Sequence, residues 1–162
     1  MPALRIGFGT DLHRLEPGKP LKIGGVAIDS PVGTVAHSDG DVLLHALIDA
    51  LLGAVALGDI GEWFPPSDAR WKDADSADLL HATLATLRER VGPFSVENVD
   101  ATVHLEAPKL KSYKPLIRGR VAALLGIAPE RVSVKAKTAE GLAPIGTGEA
   151  LEAQVAVLLT LG

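Results

Sequence analysis

Residues 41–57 read Asp-Val-Leu-Leu-His-Ala-Leu-Ile-Asp-Ala-Leu-Leu-Gly-Ala-Val-Ala-Leu. From Val42 to Leu57 every position is apolar except His45, Asp49 and Gly53. A helix on the surface keeps a polar face, so this pattern predicts a helix buried on most sides. It is expected to begin near Asp39 or Asp41, with Ser38 and Asp39 as caps, and to stop at Gly58. Burial this complete in a chain of 162 residues predicts that a partner subunit covers the helix as well as a sheet. Asp41, His45, Asp49 and Gly53 recur every fourth residue and so form one narrow stripe. An imidazole buried between carboxylates needs partners, because unpaired polar groups are costly in a core. A satisfied His–Asp network is one reading of the stripe, and a metal site is the other.

The N-terminal segment adds the next pieces. Leu4 to Leu12 alternates as a strand, with Ile6, Phe8, Thr10 and Leu12 on one side and Arg5, Gly7, Gly9, Asp11 and His13 on the other. Positions i and i+2 of a strand point the same way, so Asp11 and His13 present a carboxylate and an imidazole together. Gly7 and Gly9 on the same face leave room for another element to approach closely. Asp11, His13 and His45 offer three N/O ligands, and three protein ligands with an open position is the pattern of a catalytic zinc. Asp41 and Asp49 are candidate outer partners for His45. The residues alone leave Asp41 open as the carboxylate ligand in place of Asp11.

Further along, Leu21–Ile28 reads as a short hairpin or bulged strand around Gly24-Gly25, and Pro31–Gly40 as a loop. Gly58–Asp73 reads as a long loop, whose Phe64-Pro65-Pro66-Ser67-Asp68 is suited to cover a ligand. Asp75 or Ser76 opens a second helix to about Val91, with Leu79, Leu80, Leu84, Leu87 and Val91 as its apolar face. Val96–Glu106 and Val132–Lys137 read as strands, Pro115–Leu125 as a third helix stopped by Gly126, and Glu149–Leu161 as a last strand. Gly146-Thr147-Gly148 is too short and misplaced for a dinucleotide loop and reads as a turn. His81 and His104 fall on polar faces. Strands and helices intermix, so the class is α/β (α+β, two-layer): one domain, residues 1–162, with a mixed sheet against about three helices.

Composition narrows the chemistry. There is no cysteine, so thiolate nucleophiles, disulfides and iron–sulfur clusters are excluded, and any metal must sit on His and carboxylates. Sixteen basic against twenty acidic residues give a net charge of −4, which argues against nucleic-acid binding. Two Trp, one Tyr and three Phe are too few for a base-stacking platform. The apolar run at 42–57 is broken by His45, Asp49 and Gly53 and is no membrane span, and the N-terminus shows no apolar leader. A soluble cytoplasmic protein is expected.

Gly7-x-Gly9-x-Asp11-x-His13 resembles the opening of the 2-C-methyl-D-erythritol 2,4-cyclodiphosphate synthase family, as does Ala36-His37-Ser38-Asp39-Gly40-Asp41-Val42-Leu43-Leu44-His45-Ala46-Leu47. Leu57-Gly58-Asp59-Ile60-Gly61 with Phe64-Pro65, then Ala107-Pro108-Lys109, then Lys135-Ala136-Lys137-Thr138-Ala139-Glu140 continue in the family's order across nearly the whole chain. The resemblance implies a homotrimer with active sites between subunits. It implies a lyase of the non-mevalonate (MEP) route of isoprene biosynthesis, which turns 4-diphosphocytidyl-2-C-methyl-D-erythritol 2-phosphate into a cyclic diphosphate and CMP. By the same resemblance Asp11, His13 and His45 hold zinc or another divalent transition metal, and Glu140 holds magnesium or manganese. His37 and Thr138 stabilise the transition state. Asp59 and Gly61 hold the ribose, and Ser38, Ile60, Phe64 and Asp68 join them in binding substrate. Leu105, Ala107, Pro108, Lys109, Lys111, Ala136, Lys137 and Thr138 form the cytidine and diphosphate pocket of the adjoining subunit.

The reaction suits these residues. Nucleophile and leaving group are both phosphates, so positioning and charge stabilisation carry the step without a strong base. The chain departs from the family at Pro66, Ala139, Gly141, Pro144 and Thr147. Pro144 and Thr147 fall where relatives bind isoprenoid diphosphates on the trimer axis, so that property is not expected to carry over. Two other functions use the same residues: a zinc-dependent phosphohydrolase with water as nucleophile, and a non-catalytic trimeric nucleotide-binding module.

Overall fold

In the computed structural model, which describes residues 3–162, the apolar segment forms helix α1 (Val42–Ala54) and lies across a five-stranded sheet. The strands are β1 (Ala3–Pro17), β4 (Val32–Val35), β5 (Phe94–His104), β6 (Val132–Lys137) and β7 (Ala150–Leu161). Their order is β4-β1-β7-β5-β6. All neighbours are antiparallel except β5 and β6, whose parallel pairing requires the crossover helix α4 (Lys114–Leu125). A separate hairpin, β2 (Leu21–Ile23) and β3 (Val26–Ile28), turns at Gly24-Gly25. Helix α3 (Ser76–Val91) packs beside α1, and α2 (Ile60–Trp63) and α5 (Ala143–Gly146) are single turns. The α+β class with a mixed sheet is as read from the sequence. Of the five helices among the described residues, three correspond to those expected.

The glycines of β1 set the spacing between sheet and helix. A Cβ on Gly7 would overlap the carbonyl oxygen of Ala50, and one on Gly9 would overlap that of Ala46 and come within 2.6 Å of the Ala50 nitrogen. The α1 backbone therefore rests directly on β1. On the opposite side of the strand Leu4, Ile6, Phe8 and Leu12 are 61–76% exposed. The apolar side of β1 thus faces outward and its glycine side faces the core, the reverse of the usual arrangement.

Helix α1 corrects the expectation that a partner subunit covers it. It is buried between β1 and β7 below and α2, α3 and β2 around it, all from its own chain. Most of the large apolar side chains left uncovered lie on the sheet, at Leu4, Ile6, Phe8, Leu12 and Val35, with Leu116 and Leu142 exposed elsewhere. The helix ends at Ala54, before Gly58, because Ala56 takes a left-handed conformation and Leu57 N donates back to Leu52 O at 3.0 Å. Its cap is Asp41, not Ser38 or Asp39. Pro31–Gly40 includes the edge strand β4, and Gly58–Asp73 includes α2 and a 3₁₀ turn at Ala69–Trp71. Strand β5 stops at His104, two residues before Glu106.

Asp41 is fully buried and spends its carboxylate on the backbone. Oδ1 accepts from Leu44 N at 3.0 Å and Gly24 N at 2.8 Å, and Oδ2 accepts from Gly25 N at 2.6 Å. It pins the hairpin turn to the start of α1. Burial pushes its carboxyl above the usual carboxylate range, against the pull of these three donors. Replacing it with alanine leaves three N–H groups without their acceptor, at about 1–3 kcal/mol for each that stays buried. Asp41→Ala is expected to destabilise the fold by at least ~3 kcal/mol, read from denaturant midpoints at unchanged m-value.

Candidate functional site

Strand β1 and helix α1 meet where Asp11, His13 and His45 converge. Asp11 and His13 follow Gly7 and Gly9 on the face that carries α1, and His45 projects from the first turns of the helix. Asp11 Oδ2 lies 2.8 Å from His13 Nε2 and 3.0 Å from His45 Nδ1, and the two ring nitrogens are 3.2 Å apart. A tetrahedron of ~2.0–2.1 Å bonds separates its ligands by ~3.3 Å. Every edge of the donor triangle comes within about half an ångström of that, so a zinc-sized ion with two nitrogens and one oxygen fits here. This leaves Asp11 as the carboxylate of the triad.

The electrostatics favour a cation at this point. Burial alone would raise the Asp11 carboxyl, but hydrogen bonds and charge from His13 and His45 hold it well below the ordinary range. Burial disfavours a charged His45 ring, yet the Asp11 hydrogen bond and the charges of Asp11, Asp41 and Asp39 raise its pKa overall. A carboxylate that stays ionised among imidazoles is ready to ligate.

A cavity of about 230 Å³ opens from the triad, lined by His37, Ser38, Ile60, Gly61, Phe64 and Trp71 among others. Phe64 and Trp71 meet edge to face, with ring centroids 5.0 Å apart, and form an apolar wall. Helix α2 brings Ile60 and Gly61 to the rim. Asp49, expected beside His45, instead accepts from Ile60 N at 2.7 Å and so ties α2 to α1. Burial, with Asp59 and Asp11 nearby, moves its carboxyl upward. Asp41 likewise turns away from the His45 ring, so neither proposed outer carboxylate contacts it. Asp59 caps α2 through Glu62 N at 3.1 Å. Asp68 caps the Ala69–Trp71 turn and grips Arg70 with both oxygens, the shortest contact being 2.6 Å. These two side chains are engaged locally and do not line the cavity.

Ser38, expected in substrate binding, reaches the site, and sequence reading missed Ser76, Trp71 and Leu79. His45 Nε2 lies 2.9 Å from Ser76 Oγ and 3.1 Å from Ser38 Oγ. Trp71 and Leu79 line the cavity. Ser76 was legible only as a helix start, since nothing local reveals that it reaches a residue on another helix.

The second group of expected residues forms its own recess. Leu105, Lys109, Lys111, Ala136, Lys137 and Thr138 surround a space of about 330 Å³, joined by Leu110 and Lys114. Ala107 and Pro108 lie beside it, along another depression with Glu106. Thr138 Oγ1 donates to Glu140 Oε1 at 2.7 Å. Strands β1 and β6 are three places apart in the sheet, ~14 Å, so within one chain the two recesses are separate. Among the described residues no helix is long and apolar enough to cross a membrane.

Comparison with known proteins agrees with this architecture. A relative from Xylella fastidiosa, named 2-C-methyl-D-erythritol 2,4-cyclodiphosphate synthase, is 54% identical over 156 residues, spanning 96% of this chain and 88% of its own. A solved structure of a synthase of that name in its CDP-bound form superposes with a TM-score of 0.87 at 39% identity, covering 96% of this chain and 99% of that one. The bifunctional IspDF of Campylobacter jejuni superposes with a TM-score of 0.93 at 39% identity over all of this chain, which spans 43% of that longer one. The model of the YgbB family matches residues 4–160, and the chain belongs to that family.

Proposed function

We propose that the protein is a 2-C-methyl-D-erythritol 2,4-cyclodiphosphate synthase. It closes 4-diphosphocytidyl-2-C-methyl-D-erythritol 2-phosphate into the cyclic 2,4-diphosphate and releases CMP. The observation that carries this reading is the Asp11–His13–His45 triad at the mouth of a small, mostly apolar cavity, in a chain 54% identical to a synthase of that name. An oxygen of the 2-phosphate bonds to the β-phosphorus, and the bond from that phosphorus to the bridging oxygen breaks. That oxygen keeps the electron pair and leaves as part of CMP, already an anion, so no protein acid is needed.

Zinc on the triad and magnesium or manganese at Glu140 would supply positive charge to the diphosphate oxygens when bound. The chain's own residues do the rest. Ile60, Gly61, Phe64 and Trp71 hold the methylerythritol and ribose portions and exclude water, with Asp59 exposed at the rim. His37 and Thr138 stand as donors to the reacting phosphates, and Lys109, Lys111 and Lys137 offset the charge of the leaving nucleotide. Leu105 and Ala136 pack against the base.

The reading includes a homotrimer in which the recess of Leu105–Lys111 and Ala136–Thr138 from one chain completes the metal cavity of the next. The separation of the two recesses and the exposed Leu4, Ile6, Phe8 and Leu12 support it. A cytoplasmic location belongs to the same reading.

Incubation with the cytidyl substrate followed by phosphorus NMR tests the activity. A cyclic diphosphate with one CMP per turnover is expected. Inorganic phosphate instead would identify a hydrolase, and binding without turnover a nucleotide-binding module. Glu140→Gln removes a charged ligand and is expected to raise the Mg²⁺ concentration for half-maximal rate about tenfold or more. An unchanged metal titration would refute the role of Glu140.

A further inference from the structure

We infer that Asp39, acting through Ser76, is the positioning device that engages the Nε2–H of His45 and aims its Nδ1 at the metal site. The inference rests on the metal reading above. Ser76 is fully buried at the first position of α3. Its hydroxyl is not used to cap the helix, because Asp75 does that by accepting from Ala77 N at 2.8 Å. The hydroxyl instead meets two groups only: it donates to Asp39 Oδ1 and lies 2.9 Å from His45 Nε2.

A hydroxyl has one proton to give. Asp39 takes it, since an ionised carboxylate only accepts. Toward His45 the Ser76 oxygen can then offer only a lone pair, so Nε2 must carry the hydrogen. With a metal bound, Nδ1 is then the nitrogen left to ligate, and Nδ1 is the atom 3.0 Å from Asp11 and 3.2 Å from His13; without a metal the Asp11 carboxylate accepts a hydrogen from Nδ1 as well. The nitrogen that ligates is set by the hydrogen bond made by the other nitrogen. Ser38 Oγ also approaches Nε2, at 3.1 Å, and accepts from Gly40 N at 3.3 Å.

Asp39 is itself held from several sides. Lys22 Nζ donates to its Oδ2 at 3.0 Å and to Asp75 Oδ2 at 2.9 Å, bridging strand β2 to the start of α3. Ser76 N donates to Asp39 Oδ2 at 3.2 Å, and Asp41 N to Oδ1 at 3.3 Å. Four donors on one carboxylate leave it no role as a proton donor. The chain Lys22–Asp39–Ser76–His45 therefore runs in one direction, from the hairpin to the metal ligand. Neither Asp39 nor Ser76 lines the cavity, so both act through His45.

Nitrogen NMR of the ¹⁵N-labelled, Zn²⁺-loaded protein shows directly which His45 nitrogen carries the hydrogen. The spectrum of His45→Gln identifies the His45 signals among the five histidines. The wild-type ring is expected to be protonated on Nε2. In Ser76→Ala and Asp39→Ala the Nε2–H signal should shift as its acceptor is lost or turned, and Zn²⁺ affinity by chelator competition should fall ~10–100-fold. A wild-type ring protonated on Nδ1 overturns the inference without any variant, which covers the case in which a variant does not fold. Folded variants with unchanged signals and unchanged Zn²⁺ affinity overturn it too. A wild-type protein that binds no Zn²⁺ overturns the metal reading instead.

Discussion

His45→Ala is expected to lower turnover at least a thousandfold, ~4 kcal/mol of transition-state stabilisation. The ring supplies one of three ligands, and its loss leaves Asp11 and His13 with two, too few for a tight site. His45 is only 8% exposed, yet most of its partners are other site residues, Asp11, His13, Ser38 and Ser76, rather than the apolar core. The variant should therefore keep its far-UV spectrum and its oligomeric state while losing stoichiometric Zn²⁺. Unfolding of His45→Ala would show that the stripe is a structural network. Full activity would remove the triad from the mechanism.

Gly9→Ala is expected to damage the fold and the site together. A methyl there would overlap the Ala46 carbonyl and crowd the Ala50 nitrogen and the Asp49 Cβ. Overpacking costs ~1–3 kcal/mol where side chains can yield, and a helix backbone yields less. A loss of ~3 kcal/mol or more is expected, seen as a fall of roughly 6–12 °C in Tm. Because β1 carries Asp11 and His13 and α1 carries His45, pushing the helix off the strand also spreads the triad. Zn²⁺ affinity should fall although no ligand has changed. An unaltered melting curve would mean that the close approach of α1 to β1 is not required.

The parts of this arrangement set by local patterning were readable in the sequence. Strand β6 occurs at Val132–Lys137 as expected, and α3 runs from Ser76 to Val91 behind its Asp75 cap. Gly7 and Gly9 signalled a close approach, and Asp-x-His signalled one face, because strand periodicity alone decides both. Partnership over long range was not readable. Asp41 and Asp49 share a stripe with His45, but which group each meets depends on the hairpin turn and on α2, which periodicity does not place. The apolar run of α1 suggested a partner subunit because the sequence does not reveal that its own sheet and helices enclose it. Strand β4 was hidden in a loop because it is four residues long and contains Gly33. Asp59 and Asp68 match binding motifs yet cap short helices, and Ser76 looks like any helix start until α3 is packed against α1.

Crystals grown with Zn²⁺ and measured across the zinc absorption edge test the central claim most directly. The account predicts one strong anomalous peak per chain, bonded at ~2.0–2.2 Å to an Asp11 oxygen, His13 Nε2 and His45 Nδ1. No peak at this position, or a peak bonded to His45 through Nε2, would contradict it.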